Sequence, residues 1–465
     1  MYMFRENARR ILTQTALAFG RLFGGTAIFL LVVGGVAAGW EVPPEPGSGS
    51  TSNRFTPEAD ESEAKAERIP PTTETFTIEQ LQSMAMVCNP TIAQAMDEIR
   101  ALRGRWLQSG LRPNPAVGWL AEEMGNDGRA GRQGIEFSQE FITAGKLDLN
   151  RAVVQQQINS ARSELAGQQR RVLNDVQTAA YRVLGDHQRI EILRELQRIN
   201  EEVVGACNSL LDAQEIALTD LLKAQIELET TTMRLRVENR EYNGTRRALA
   251  GIVGRSDLTD FHVEGSLAED LPVLDWETSL ARLFAASPEL HEARAAVSQA
   301  RCEVARQRAG RVSDVEVGGA VAYNTASEYT EVTLGVGMPV KLFDRNQGNI
   351  AEAEARLIAA RREVDRLRLA MYHRLADGYR EYQVAREQAE TYKDSILPKA
   401  KRSLTLTAEG FRRGEQTYLE LLNAQQTYFY ANLDFIESLE GVWVTATEIE
   451  GLLLSGGLDS VLDDE

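Results

Sequence analysis

Two rhythms of apolar and polar positions alternate along the chain, and the alternation occurs twice. From Thr91 to Leu111 apolar residues recur at helical spacing, until Pro113 and Pro115 end the run. A short strand is predicted around Ala116–Glu123, closed by the turn signal Gly125-Asn126-Asp127-Gly128. Then Ile135, Phe137 and Phe141 alternate with Gly134, Glu136, Ser138 and Glu140. That is a period of two, hence a strand with one apolar face and one polar or small face. From Lys146 to about Cys207 there is no proline, and Ile158, Leu165, Val172 and Ala179 recur every seven residues. Val176, Val183 and Ile190 form a second row, which makes a heptad seam. Some 60 helical residues at ~1.5 Å each make a rod of about 90 Å. The chain is expected to turn near Ala206–Leu218 and return through Asp220–Ala250.

The second half repeats this order. Val315, Val317, Val321 and Tyr323 alternate with Glu316, Gly318, Ala320 and Ala322. After a loop at Asn324–Glu328, Val332, Leu334, Val336, Met338 and Val340 alternate with Thr333, Gly335 and Gly337. A second rod is predicted from about Asn349 to Ala408, kinked by Pro398, with a turn at Gly410–Gly414 and a return through Tyr418–Leu454. Landmarks keep nearly one offset: Asn89-Pro90 with Ser287-Pro288, Ala161-Arg162 with Ala360-Arg361, Tyr181-Arg182 with Tyr379-Arg380. The phrase Asp220-Leu221-Leu222-Lys223-Ala224-Gln225 returns as Glu420-Leu421-Leu422-Asn423-Ala424-Gln425. The spacing is far beyond a solenoid period, so the chain is a duplicated half-molecule. The expected repeats are 76–254 and 276–454, each a helix, a β-hairpin (116–142, 314–340) and a long helical hairpin (146–250, 349–454). A connector at 255–275 joins them, and an acidic tail follows at 455–465.

This reads as a mainly α fold with a small β part. Strands of about ten residues with an outer apolar face suit a membrane β-barrel. An ordinary hairpin on a soluble core gives the same pattern. Four strands per chain cannot close a barrel, because an open edge in lipid leaves backbone groups unpaired. Several protomers would have to share one barrel: two for eight strands, three for twelve.

Composition narrows the function. The 465 residues carry 51 Lys and Arg against 68 Asp and Glu, a net charge of -17. That disfavours nucleic acid and adhesion to anionic lipid. Cys88, Cys207 and Cys302 are odd in number and far apart, and the four histidines (His187, His262, His291, His373) are scattered. Neither pattern gives a disulfide framework or a zinc site. No H-E-x-x-H, Walker A or dinucleotide fingerprint occurs, so no enzyme activity, cofactor or bound metal is expected. Arg5, Arg9, Arg10 and Arg21 precede an uncharged run, Leu22–Trp40, which contains Val36-Ala37-Ala38. This predicts a signal peptide over 1–40 cleaved near 38, with an uncleaved membrane anchor as the rival. Residues 41–75, rich in Pro, Ser, Thr, Gly and Glu, read as a flexible leader.

Two junctions carry a family resemblance. Val336-Gly337-Met338-Pro339-Val340-Lys341-Leu342-Phe343-Asp344-Arg345-Asn346-Gln347-Gly348-Asn349-Ile350, and Phe137-Ser138-Gln139-Glu140-Phe141 with Gly145-Lys146, resemble the strand-to-helix junctions of TolC-type outer-membrane efflux proteins. Arg345-Asn346-Gln347-Gly348 and Gly145-Lys146 are most similar to the branch working with metal-exporting resistance–nodulation–division pumps. The resemblance spans about Phe76–Leu454. It implies a homotrimer sharing one transmembrane barrel set in lipid, with a helical tube in the periplasm. It also implies a periplasmic adaptor, an inner-membrane pump, and passive exit of cargo, here heavy-metal cations. A drug-efflux or type I secretion channel is the alternative, and a membrane-anchored periplasmic adaptor or scaffold a more distant one.

At the junctions, Pro339 is expected to end the strand ladder. Asp344, Asn346 and Asn349 are expected to cap the following helix, and Gly145 and Gly348 to allow the bend. The resemblance places adaptor contacts and the aperture at the helix turns. The candidates there are Asp212, Gln214, Glu215, Arg412, Arg413, Gly414 and Glu415. Gln214 stands where the second turn has Gly414, which leaves the geometry of the first turn open.

Overall fold

The structure, a computed structural model, describes residues 74–125 and 130–459. The expected signal peptide, the leader up to residue 73, most of the Gly125–Gly128 turn and the last six residues lie outside the described residues. The first repeat comprises β1 (Glu74–Thr77), α1 (Ile78–Cys88), α2 (Pro90–Ser109), β2 (Ala116–Glu122), β3 (Arg132–Phe141), α3 (Lys146–Asp212) and α4 (Leu218–Val253). After β4 (Phe261–Glu264) the second repeat runs through α5 (Trp276–Ala286), α6 (Pro288–Ala309), β5 (Val315–Asn324), β6 (Tyr329–Gly337) and α7 (Gln347–Thr391). A π-helical turn (Tyr392–Ile396), α8 (Leu397–Arg412) and α9 (Tyr418–Glu450) complete it. The fold is mainly helical, with a small β part.

Each repeat opens on two short helices, where one was expected. The repeated Asn89-Pro90 and Ser287-Pro288 pairs are the reason. Proline forces the residue before it out of helical geometry, and both Asn89 and Ser287 are extended (ψ 123° and 122°). Each then caps the next helix: Asn89 accepts from the Thr91 N–H and Ser287 from the Leu290 N–H. Proline at the first helical position loses nothing, since its missing N–H has no intrahelical partner there.

Two strands, β1 and β4, were not anticipated. They pair in parallel, Glu74 with Phe261 through Thr77 with Glu264. The pair ties the start of the first repeat to the connector, and Phe76 packs edge-on against the buried Phe261 ring.

The helix α3 is 67 residues long, about 100 Å at ~1.5 Å per residue. Its seam is buried as the heptads require: Ile158, Val172, Val176, Ala179, Val183 and Ile190 are inside, and Leu165 is half-buried. All but Ile158 join one cluster with Leu81 and Ala85 of α1 and Tyr242, Leu249 and Val253 of α4. Buried amides do the remaining fastening. Asn174 donates to the carbonyls of Gly451 and Leu454, and Gln168 to that of Gly457. The segment after α9 is thereby strapped onto α3.

Pro398 does not interrupt its rod. The helix widens into a π turn just before it, with Leu397 N–H bonded to Tyr392 O. The wider turn accommodates the proline ring within the helix.

Candidate functional site: the sheet and the hairpin tips

The four hairpin strands form one antiparallel sheet in the order β2-β3-β5-β6. Its register sorts the side chains. Val117 lies opposite Phe137, Trp119 opposite Ile135, Ile135 opposite Val321, and Val321 opposite Val332. Because side chains alternate, all of these share one face with Val317, Leu334 and Val336. That face is apolar and open: Trp119 is 66% exposed and Val336 76%. The opposite face carries Glu136, Glu140, Glu316, Thr333 and Arg132, whose guanidinium bridges Glu122 and Glu331. The ring of Phe137 lies where a Cβ of Gly319 would stand. Among the described residues, β2 and β6 each keep one unpaired edge.

The two junctions below the sheet share a backbone solution but not the expected residues. Gly145 precedes α3 with φ 66°, and Asn346 precedes α7 with φ 60°. The left-handed residue of the second junction is therefore Asn346. Gly348 is already inside α7, with open space around it. The expected side-chain caps are likewise corrected. Asn346 makes no cap bond; its amide donates to Gln307, which holds α7 against α6. Asp344 accepts from the Asn346 N–H, and Asn349 donates to the Asn346 side chain. These groups brace the bend, leaving the helix N–H groups to other partners. Pro339 lies two residues beyond the end of β6 at Gly337, and its carbonyl accepts from Ser313 Oγ. Lys146 pairs with Asp314 at 2.8 Å and links the first junction to the start of β5.

The seven tip candidates all lie at the ends of the helical hairpins and all are exposed. The first turn closes by Glu215 N–H to Leu210 O, and the second by Glu415 N–H to Gly410 O, each 2.9 Å. In both, the residue before is left-handed, Gln214 at φ 63° and Gly414 at φ 75°. This is the Schellman closure of a helix C-terminus. The first turn adopts it without glycine, so the absence of glycine does not change the geometry.

Beneath the tips the hairpins share one apolar cluster. Cys207, Leu221 and Ala224 of the first meet Leu404, Phe411, Tyr418, Leu421 and Ala424 of the second. The repeated Leu-Leu-x-Ala-Gln phrase is thus the tip core, with its first Leu and its Ala inside. Burial, helped by the charges of Glu227 and Asp220 and by Cys207, pushes the Tyr418 hydroxyl up to about 12. Arg412 approaches Glu202 of α3 at 3.8 Å, and Arg413 approaches Glu409 and Glu415. Asp212 makes no salt bridge to a described residue.

Farther along the first hairpin lies a charge network that the sequence did not reveal. Arg189 of α3 binds Asp186 at 2.6 Å, Glu238 of α4 at 3.1 Å and Glu440 of α9 at 3.1 Å. Thr245 donates to the other Asp186 oxygen. Burial holds Glu238 and Glu440 above the ordinary carboxylate range, and Arg189 offsets part of that rise. Gly185 leaves room for the Glu440 carboxylate, which a Cβ there would meet at 2.7 Å. Among the described residues no His, Cys, Asp or Glu cluster is arranged to hold a metal ion, and no helix is long and apolar enough to cross a membrane. The three cysteines are unpaired.

A family model described as "Outer membrane efflux protein" matches residues 81–255 and 280–446. The cobalt-zinc-cadmium resistance protein CzcC of Cupriavidus metallidurans is 24% identical over 378 residues, covering 81% of this chain and 90% of that protein. The solved outer-membrane channel OprN superposes with a TM-score of 0.69 at 17% identity, over 82% of this chain and 90% of that one. CusC, described for the changes accompanying its folding and transmembrane channel formation, gives 0.67 at 17% identity, over 82% and 92%.

Proposed function

The chain belongs to the outer membrane efflux protein family, and from that premise we propose how it works as an outer-membrane channel of tripartite efflux. Three copies share one barrel of twelve strands, and the hairpins of all three enclose a passive duct. The observation that carries this reading is the β2-β3-β5-β6 sheet, with an exposed apolar face and, among the described residues, an unpaired strand edge at each side. In lipid each unsatisfied backbone group costs several kcal/mol, so the edges require strands from other copies. Chemical cross-linking of intact membranes tests the count. A trimer is expected; a dimer or an uncross-linked monomer overturns it.

The cargo in this reading is heavy-metal cations, supplied by an inner-membrane pump of the resistance–nodulation–division type through a periplasmic adaptor. Support comes from the junction sequence Arg345-Asn346-Gln347-Gly348 and from the similarity to a protein whose name records cobalt, zinc and cadmium resistance. The adaptor meets the exposed tip residues Asp212, Gln214, Glu215, Arg412, Arg413, Gly414 and Glu415. Deletion of the protein should sensitise cells to cobalt, zinc or cadmium. Sensitivity to lipophilic drugs alone would instead assign the channel to drug efflux.

A further inference from the structure

The outer apolar face does not stop where β6 stops. By the repeat, Asn346 takes the place of Gly145, so Met338, Val340 and Leu342 take those of Phe137, Gln139 and Phe141. The last three lie on the outer face of β3. Met338, Val340 and Leu342 are all exposed, and the following Phe343 is 92% exposed. Ser313 Oγ and the Lys341 ammonium fasten this segment to the α6–β5 link through the carbonyls of Pro339 and Gly310. A neighbouring copy that pairs with the free edge of β6 takes backbone groups. It leaves the face open, because sheet pairing covers edges only.

Charge indicates what covers this face. In a chain with a net charge of -17, the two exposed arginines flanking the segment, Arg311 and Arg345, form no salt bridge to any described residue. Arg345 spends only its Nε, on the carbonyl of Leu342. Among the described residues, the exposed charges at the far end of the same strands are Glu122, Glu123 and Glu328, and Arg132 is already paired. Ten residues of β3 separate the two ends, about 33 Å of strand, close to the ~25 Å apolar band of a tilted barrel strand. Aromatic and apolar side chains next to free arginines suit the boundary between acyl chains and phosphate headgroups.

We propose that Met338–Arg345 is an interfacial anchor, with Val340, Leu342 and Phe343 seated in the leaflet nearest the helices and Arg345 on a phospholipid phosphate. This rests on the sheet being the membrane-facing part of the channel. The test uses the full chain reconstituted in phosphatidylcholine vesicles with brominated acyl chains. The quenched emission that Trp119→Phe removes from the wild type, apart from that of the four other tryptophans, reports the sheet. Phe343→Trp should add emission that the bromines also quench. Added emission that stays unquenched while Trp119 is quenched overturns the anchor alone, whether water or a second copy covers the site. Loss of quenching at both positions overturns the membrane-facing sheet itself. In the Phe343→Trp background, Arg345→Glu should raise access of the neutral quencher acrylamide to the new tryptophan about fivefold, and Arg345→Lys should not. An unchanged Arg345→Glu variant overturns the phosphate contact.

Discussion

The two helical hairpins turn through one backbone with different residues. Gly414 occupies the left-handed position of the second tip at no steric cost, whereas Gln214 holds the same conformation against its own Cβ. That costs the first tip roughly 1 kcal/mol. The return helices differ as well. Thr417 and Glu420 form a reciprocal capping box at the start of α9, while Ala217 offers α4 no side chain for the task. An uncapped start costs about 1 kcal/mol more. Both penalties fall on the first tip, and the shared cluster of Leu221, Phe411, Tyr418 and Leu421 ties the softer turn to the firmer one. Duplication has kept the geometry while letting the local stabilities diverge.

The largest expected effect lies away from the tips, in the network that joins the first hairpin to α9 of the second. Arg189 serves three carboxylates, on α3, α4 and α9, and Arg182 is the more distant cation acting on Glu440. Arg189→Met should therefore destabilise the protein by about 3 kcal/mol, because it strands buried charges. The pH dependence has a definite sign. Glu238 and Glu440 titrate above the ordinary 4.5 when folded, so the stability they contribute is complete below that value and is lost as pH rises through the folded value. Without Arg189 the folded values climb further. Thermal melts of the variant should then fall more steeply from acid to neutral pH than those of the wild type. A variant with equal melting loss at pH 4.5 and pH 7 would count against the network.

At the second tip, Gly414→Val should cost about 2 kcal/mol or more, since a β-branched residue resists the left-handed region. The matching change at the first tip, Gln214→Val, starts from a residue already strained and should cost clearly less. Amide exchange at Phe411–Tyr418 and at Leu211–Leu218 reads the two separately. Equal losses would mean that the two turns tolerate left-handed side chains alike.

The capping contrast predicts a reciprocal pair of smaller effects. Thr417→Ala should weaken the start of α9 by about 1 kcal/mol, and Ala217→Thr should strengthen α4 by a similar or smaller amount. The second depends on the new hydroxyl reaching the Asp220 N–H, at the place where Thr417 accepts from the Glu420 N–H at 3.3 Å. Exchange rates in the first turn of each helix decide the matter. No slowing in α4 would remove the cap from the account of why the tips differ.

How much of this was legible in the sequence depended on the length of the pattern behind each feature. The α3 seam recurs over several heptads and the strand alternation over whole strands, so rods, sheet and duplication could be read directly. Asn89-Pro90 and Ser287-Pro288 carried a helix boundary in two residues, but only because proline restricts its predecessor. The two left-handed residues without glycine, Gln214 and Asn346, left no such mark. At the second junction the nearby Gly348 drew the bend two residues too late. β1 and β4 are four residues each and pair across most of the first repeat, so nothing local announced them. Arg189 sat unremarked on a helix rich in arginine. Its role exists only once α4 and α9 bring Glu238 and Glu440 to it.

The smallest expected effect isolates backbone strain from everything else. Gln214→Gly removes a side chain that is exposed and makes no hydrogen bond within the described residues, so little packing is lost. It relieves the left-handed strain, worth about 1 kcal/mol, but adds freedom to the unfolded chain, which takes back roughly half of that. A net local gain of about 0.5 kcal/mol should remain, seen as slower exchange of the Gln214 and Glu215 amides that close the turn on Leu211 and Leu210. Combined with Ala217→Thr, the first tip should approach the protection of the second, since the changes act on a helix end and on the next helix start. If the double variant stays as open as the wild type, the softness of the first tip arises in its packing against the second hairpin, and the turn residues are not its source.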